Sequence, residues 1–388
     1  MTLPEKLRDD YRVLFGEPWP PWVGGLLIGI LNVFLFLFYQ PWTTLDGALN
    51  WGDWVLSRLG LVRTEALSPL LRSGSVLNLG LLFGATASAL LAREFGVRVG
   101  PGRELAKGFL GGVLLGLGAA LARGCNIGGF FSATSALAAS GLAMAVGLAA
   151  GAFLGARYLV WEVARLPASP AVVAGGSGLV GGRRSPQTGL GVALLFGLLA
   201  WAVSYRWLGY SDRGLLLMFG VLLGMICQRS RVCFVQAFRE PFLTGDTRHL
   251  RALLLGLLVS VVGFALVKAA ILDKAEEFVR PTFWLGSFAG GVVFGVGMVL
   301  AGGCGAGSIW RAGEGHVKLW LALVGYVFSA SLVRDWLVRS QLQEHLGTAV
   351  FLPEVVGWAG SLLLVLGVLL AWYLVASWNE VSRKLTAL

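Results

Sequence analysis

Apolar runs long enough to cross a lipid bilayer recur along nearly the whole of this 388-residue chain, and they constrain its fold more than any motif does. Hydrocarbon offers no partner for loose backbone N–H and C=O groups, so a run of about 20 apolar residues in lipid must close its hydrogen bonds within itself as a helix. Ten candidate spans fall at residues 22–39, 76–92, 109–122, 142–163, 189–208, 215–227, 253–272, 284–301, 319–337 and 356–377. Composition agrees, with 56% hydrophobic and 13% charged residues and a mean hydropathy of +0.75. The chain is expected to be an all-α polytopic integral membrane protein. Residues 1–21 carry acids as well as bases and no short apolar core with a small-residue cleavage site, so they read as a retained surface segment and not as a signal peptide.

The excess of 31 basic over 21 acidic residues does not indicate a nucleic-acid partner, because the bases sit in loops between spans and form no aromatic-interleaved stripe. Positive-inside topology explains them. Lys6, Arg8 and Arg12 precede the first span, Arg93, Arg98, Arg103 and Lys107 follow the second, Arg183 and Arg184 precede the fifth, and Arg229, Arg231, Arg239, Arg248 and Arg251 follow the sixth. Placing all of these in the cytoplasm lets ten spans alternate with both termini inside a cell (inner) membrane. Arg58, Arg63, Arg72, Arg334 and Arg339 fall on the other side.

Several chemistries are excluded. His249, His316 and His345 lie at span edges or in a loop, so no heme is held between helices, and no Cys/His cluster has zinc spacing. Span interiors hold almost no Asp or Glu, Glu162 lying near a span end, so the usual carboxylate proton relay has no members. No cofactor is implied. Four cysteines, Cys125, Cys227, Cys233 and Cys304, lie too deep in apolar sequence for a disulfide framework.

An internal repeat gives two of them a context. LGGVLLGLGAALARGCNIGG aligns with FAGGVVFGVGMVLAGGCGAG, and each glycine-rich span ends in Gly-Cys followed three residues later by Gly. Extending the match yields two membrane repeats, residues 22–208 and 209–378, followed by a cytoplasmic tail at 379–388. Five spans per half is an odd number, so the halves are expected to be inverted relative to one another, a transporter architecture with its site at the repeat interface. Short segments after each Gly-Cys, 130–140 and 306–310, have the pattern of re-entrant half-helices. Glycine lets backbone approach a solute closely, and a half-helix N-terminus offers free N–H groups and a positive dipole end, which suits an anion. A thiol adds a weak donor and a soft acceptor for a sulfur-bearing solute. The thiol is open to activation as a nucleophile or to remaining neutral, and its counterpart region for Cys233, PWTTLDGALNWGDW, has no cysteine.

The blocks ARGCNIGGFF, FGVLLGMICQRSRVCFVQAFRE and FGVGMVLAGGCGAGSIWRAGEG resemble signature segments of the YeeE/YedE membrane family, which includes bacterial thiosulfate uptake proteins. The resemblance covers most of the chain apart from the N-terminal segment and the loop at 166–187. It implies an hourglass-like helical fold with short re-entrant helices and three cysteines that hand a thiosulfate-like ion along by transient S–H to S contacts. By motif these are Cys125, Cys233 and Cys304, while Cys227 has no equivalent and reads as ordinary packing. The order of the blocks, with Cys125 first, is closer to the YedE branch linked with selenium as well as sulfur. It also implies a cytoplasmic sulfur-carrier protein of the TusA type as partner.

The expected substrate path is therefore Cys125, Cys233 and Cys304 with Asn126, Gly124, Gly128, Gly303, Gly307, Arg123 and Arg311. Asn126 has a second reading as the cap of the half-helix, and Arg123 and Arg311 as residues that snorkel to the interface. The arginines from Arg229 to Arg251 could dock an acidic partner or simply obey topology. A transporter of a thiosulfate-like anion is the favoured function. A selenium compound on the same path, or a membrane-embedded thiol sulfurtransferase, are the alternatives.

Overall fold

The computed structural model describes residues 5–6, 11–165, 186–271 and 278–386. Arg8, Arg183, Arg184, Leu272 and residues 166–185 of the loop named above lie outside the described residues. Within them the chain is helical, with isolated bridges in place of strands. In chain order the helices are α1 (Pro21–Phe38), α2 (Leu45–Arg58), α3 (Ser73–Leu91), α4 (Gly102–Ala122), α5 (Asn126–Phe131 in π form, then Ser132–Ser135), α6 (Ala139–Arg165), α7 (Gln187–Trp207), α8 (Ser211–Ser230), α9 (Phe234–Leu243), α10 (Arg248–Ala270), α11 (Leu285–Ala301), α12 (Gly305–Gly313), α13 (Val317–Arg339) and α14 (Leu352–Ser382). Ten helical segments among the described residues are long and apolar enough to cross a membrane.

Several spans are longer than hydropathy alone indicates, and two of them show why. The third was bounded at 109–122, yet α4 begins at Gly102 because the charges of its first turns have partners. Lys107 Nζ donates to Glu162 Oε2 at 2.9 Å, and Lys318 Nζ to Glu104 Oε2 at 2.6 Å. The sixth was bounded at 215–227, yet α8 runs to Ser230 with Gln228, Arg229 and Ser230 buried. Arg229 is thus helical, and the break falls at Arg231, which is left-handed (φ 55°).

The helices cross at glycines. A Cβ on Gly118 of α4 would stand 2.6 Å from the Gly290 carbonyl of α11, and one on Gly290 would stand 2.6 Å from the Gly118 carbonyl. With no hydrophobic gain from helix association in lipid, such close backbone approach supplies the dispersion contact that holds the pair together. The pairings repeat along the chain: α4 packs on α13 as α11 packs on α6, α3 on α8 as α10 on α1, α2 on α13 as α9 on α6, and α3 on α12 as α10 on α5. This pattern is consistent with two related halves. Both ends of the described chain reach one face, the terminal face: Trp19 N–H donates to Arg229 O at 2.8 Å and Asn379 Nδ2 to Pro241 O at 2.7 Å.

Candidate functional site

Four short helices, α2, α5, α9 and α12, start with Thr44, Cys125, Cys233 and Cys304 as N-caps. The three cysteines share one local conformation. Two residues before each stands a left-handed residue, Arg123 (φ 50°), Arg231 (φ 55°) or Gly302 (φ 74°), which closes the preceding helix. The cysteine itself is extended, so the next helix restarts in a new direction. Gly124 and Gly303 are the single residues between the left-handed turn and the cysteine. This local pattern, and not the apolar run before it, is why the chain breaks there.

Two of the sulfurs then act as helix caps in the way a Ser or Thr oxygen would, while Cys233 makes no such bond. Cys125 Sγ accepts Gly128 N–H at 3.4 Å and Cys304 Sγ accepts Gly307 N–H at 3.2 Å. Asn126 is therefore not the cap; it is the first helical residue, freed for another role. Cys125 also receives the Thr44 hydroxyl at 3.3 Å. A Cβ on Gly305 would lie 2.8 Å from Thr44 Oγ1, 3.4 Å from Tyr326 Oη and 3.6 Å from Cys125 Cβ, so the starts of α2, α5 and α12 meet at one point. Cys304 lies within electrostatic range of both Cys125 and Cys233. Cys227, assigned to packing from the sequence, is buried within the same range of Cys304 and Cys233.

The meeting point holds polar atoms that the protein leaves unsatisfied. Asn126 Nδ2 and Oδ1, Ser308 Oγ and Tyr326 Oη are fully buried with no hydrogen bond of good geometry, the Thr44 hydroxyl standing near Tyr326 Oη. The Asn126 amide stands beside the Cys304 thiol without meeting hydrogen-bond geometry. Buried orphans cost about 1–3 kcal/mol each, so their clustering beside helix N-termini calls for an occupant that fills them.

Non-helical backbone leads to this point and is held by side chains. Between α1 and α2, Trp42 N–H donates to Asn32 Oδ1 at 2.8 Å, Ser132 Oγ donates to Trp42 O at 2.7 Å, and Asn78 Nδ2 donates to Thr44 O at 2.9 Å. Asn32 and Asn78 are the polar residues that sequence reasoning passed over. Their signal was visible, since an amide inside an apolar span has to serve some buried group. Thr43, Thr44, Ser308 and Tyr326 carried no comparable signal, because hydroxyls are common in membrane helices.

Two openings flank the site. On the terminal face a cavity of about 240 Å³ is lined by Cys233, Arg239, Arg311, His316 and Lys318 among others. On the opposite face Thr43, Tyr39, Gln40 and Ser73 line a gap of only about 10 Å³. At the terminal cavity Arg311 is fixed by donating to Gly302 O at 3.2 Å and lying over the Trp310 ring. Arg123 is placed differently, half-buried at the end of α4 and within electrostatic reach of Arg280.

In the run from Arg229 to Arg251 the arginines have partners within the chain, while Arg248 and Arg251 stay exposed. Arg229 is 1% exposed and donates to the Leu14 and Glu17 carbonyls. Arg231 bonds Glu314 at 2.6 Å and Glu94 at 2.5 Å, and Arg239, Arg248 and Arg251 pair with Glu240, Asp246 and Glu380. Gln228 joins Glu94 and Glu314 at 2.8 and 3.2 Å. Burial pushes the Glu314 carboxyl up, but the His316 ring 3.6 Å away, the Arg231 charge and the hydrogen bond from Gln228 outweigh it and hold Glu314 below the ordinary range.

Fold and site together define a multi-pass helical membrane protein with cysteine-capped helix breaks at its centre. The chain belongs to the sulphur transport family, whose model matches residues 5–154 and 229–387. These stretches contain Cys125, Cys233 and Cys304 and leave out Cys227. The chain is 30% identical over 335 residues to a probable transporter, YedE, of Escherichia coli K12, covering 81% of this chain and 80% of that one. It is 29% identical over the same length to the YedE of Salmonella typhimurium. A shorter match of 120 residues, at 42% identity, covers 31% of this chain and 33% of the thiosulfate transporter TsuA of Escherichia coli K12.

Proposed function

We propose that the protein carries a small sulfur oxyanion of the thiosulfate kind across the cell membrane, passing it between Cys125, Cys304 and Cys233. The observation that carries this reading is the meeting of two thiol-capped helix starts, at Cys125 and Cys304, with an unsatisfied amide and two unsatisfied hydroxyls. Each helix N-terminus contributes roughly half a positive charge, which offsets the cost of bringing an anion to membrane depth without any fixed cation that would hold it there. A thiol gives a weak, soft contact, so each stop binds loosely enough to release. Asn126, Ser308 and Tyr326 supply the hydrogen bonds the ion leaves behind in water, and Gly124, Gly128, Gly303 and Gly307 keep the backbone at these stops free of side chains.

Positive-inside topology places the terminal face in the cytoplasm, with both termini. The cavity beside Cys233 is then the cytoplasmic mouth, where Arg239, Arg311 and Lys318 receive the anion and where a sulfur-carrier protein of the TusA type would meet it. The helices α5 and α12 act as re-entrant halves of two inverted repeats. The test is uptake of radiolabelled thiosulfate, selenite and sulfite by proteoliposomes, with Cys125→Ala alongside. Thiosulfate uptake that falls roughly a hundredfold or more without Cys125, about 2.7 kcal/mol, is the expected result. Cysteine-dependent uptake of selenite alone would move the substrate to selenium, and no uptake of any anion would sink the transport reading.

A further inference from the structure

The Cys125 sulfur is held by two donors, Gly128 N–H at 3.4 Å and the Thr44 hydroxyl at 3.3 Å. A thiol whose lone pairs are engaged in this way keeps its own S–H as the group still to be used. The Thr43 hydroxyl stands 3.9 Å from the same sulfur and already accepts Leu45 N–H at 3.3 Å. At that distance Thr43 is a weak resting acceptor for the S–H, readily exchanged for a stronger one. Thr44 is itself fixed: it is fully buried, it is the N-cap of α2, and its carbonyl accepts Asn78 Nδ2 at 2.9 Å. The unsatisfied Tyr326 hydroxyl borders the same space beside Gly305, where no side chain intervenes.

We propose that Thr44 is a positioning residue for Cys125: its hydroxyl pins one sulfur lone pair and so presents the S–H as the donor to an arriving anion. The proposal rests on the transport reading above for its purpose, but not for its geometry. It also gives the related position in the other half a meaning. Where α9 starts with a thiol that can itself carry substrate, α2 starts with a hydroxyl that orients a neighbouring thiol.

Infrared difference spectra of the purified full-length protein, wild type minus Cys125→Ala, isolate the S–H stretch of Cys125. Thr44→Val keeps the branched shape and removes the hydroxyl, while Thr44→Ser restores the hydroxyl. The expected result is a shifted S–H band in Thr44→Val and an unshifted one in Thr44→Ser. Thiosulfate transport efficiency in proteoliposomes should fall roughly three- to tenfold in Thr44→Val, the worth of one hydrogen bond, and stay within about twofold in Thr44→Ser. A band unmoved by Thr44→Val, no S–H band from Cys125, or wild-type efficiency in Thr44→Val each overturns the proposal. Should the wild type transport none of the anions, the transport reading fails while the band still decides whether Thr44 orients the thiol.

Discussion

The two ends of the buried site lie at the starts of α9 and α2, helices that take corresponding places in the packing, and differ in backbone, chemistry and width. At the terminal face α9 begins with Cys233, which opens into a cavity of about 240 Å³ lined by Arg239, Arg311, His316 and Lys318. At the opposite face α2 begins with Thr44, and Thr43 borders a gap of about 10 Å³. A helix start is therefore a reusable device whose function varies with the residue at its cap. The terminal cavity is thus far wider than the gap beside Thr43, since about 10 Å³ is roughly the space of one water-sized probe and admits no oxyanion.

The largest expected effect follows from that asymmetry. A membrane-impermeant thiol reagent applied to the terminal face should modify Cys233 at least a hundredfold faster than the same reagent, applied to the opposite face, modifies Cys125, since passage through so small a gap requires the structure to open. Single-cysteine variants in oriented vesicles, read by mass spectrometry, measure both rates. Equal rates would mean that the distal side is open in the membrane, and the comparison would collapse.

A smaller effect tests whether the cap residue sets the chemistry. Cys233→Thr converts the terminal end to the composition of the distal end and removes one soft stop. Transport should fall about tenfold, or about 1.4 kcal/mol, with the thermal midpoint little changed. Cys227→Ala is the informative partner. It removes a buried thiol from beside Cys304 and Cys233 without breaking a helix cap, and transport within about twofold of wild type is expected, with a stability cost of roughly 1 kcal/mol for the small cavity. A loss of transport in Cys227→Ala equal to that in Cys233→Thr would add Cys227 to the path.

Most of the architecture was legible in the sequence because lipid enforces helices and a long apolar run announces one. The limits of α4 and α8 were not, because charges at 102–108 and polar groups at 228–230 are satisfied by residues far away in sequence, such as Glu162 and Lys318. Cys125 and Cys304 stood out through their repeated Gly-Cys setting, and the resemblance added Cys233. The proximity of Cys227 to two of these was hidden, since it depends on how α8 ends and on where the chain turns at Arg231. The role of Thr44 was hidden for the same reason. Its neighbour Cys125 is 81 residues away, and nothing local to either residue marks the contact.

The smallest effect concerns the closure beneath the terminal mouth, where Glu314 joins α8 to the turn after α12 through Arg231, Gln228 and His316. Its carboxyl is held below the ordinary range despite burial, so the linkage has a definite sign. The contribution of the carboxylate is complete at neutral pH, above the unfolded value, and is lost as pH falls through the lowered folded value. Glu314→Gln keeps the shape and one acceptor while removing the charge. The gap in thermal midpoint between wild type and Glu314→Gln should therefore be constant from neutral pH down to the ordinary Glu range and narrow only below about pH 4. A gap that already narrows well above the ordinary Glu range would leave the Glu314 carboxylate without a part in holding the terminal side together.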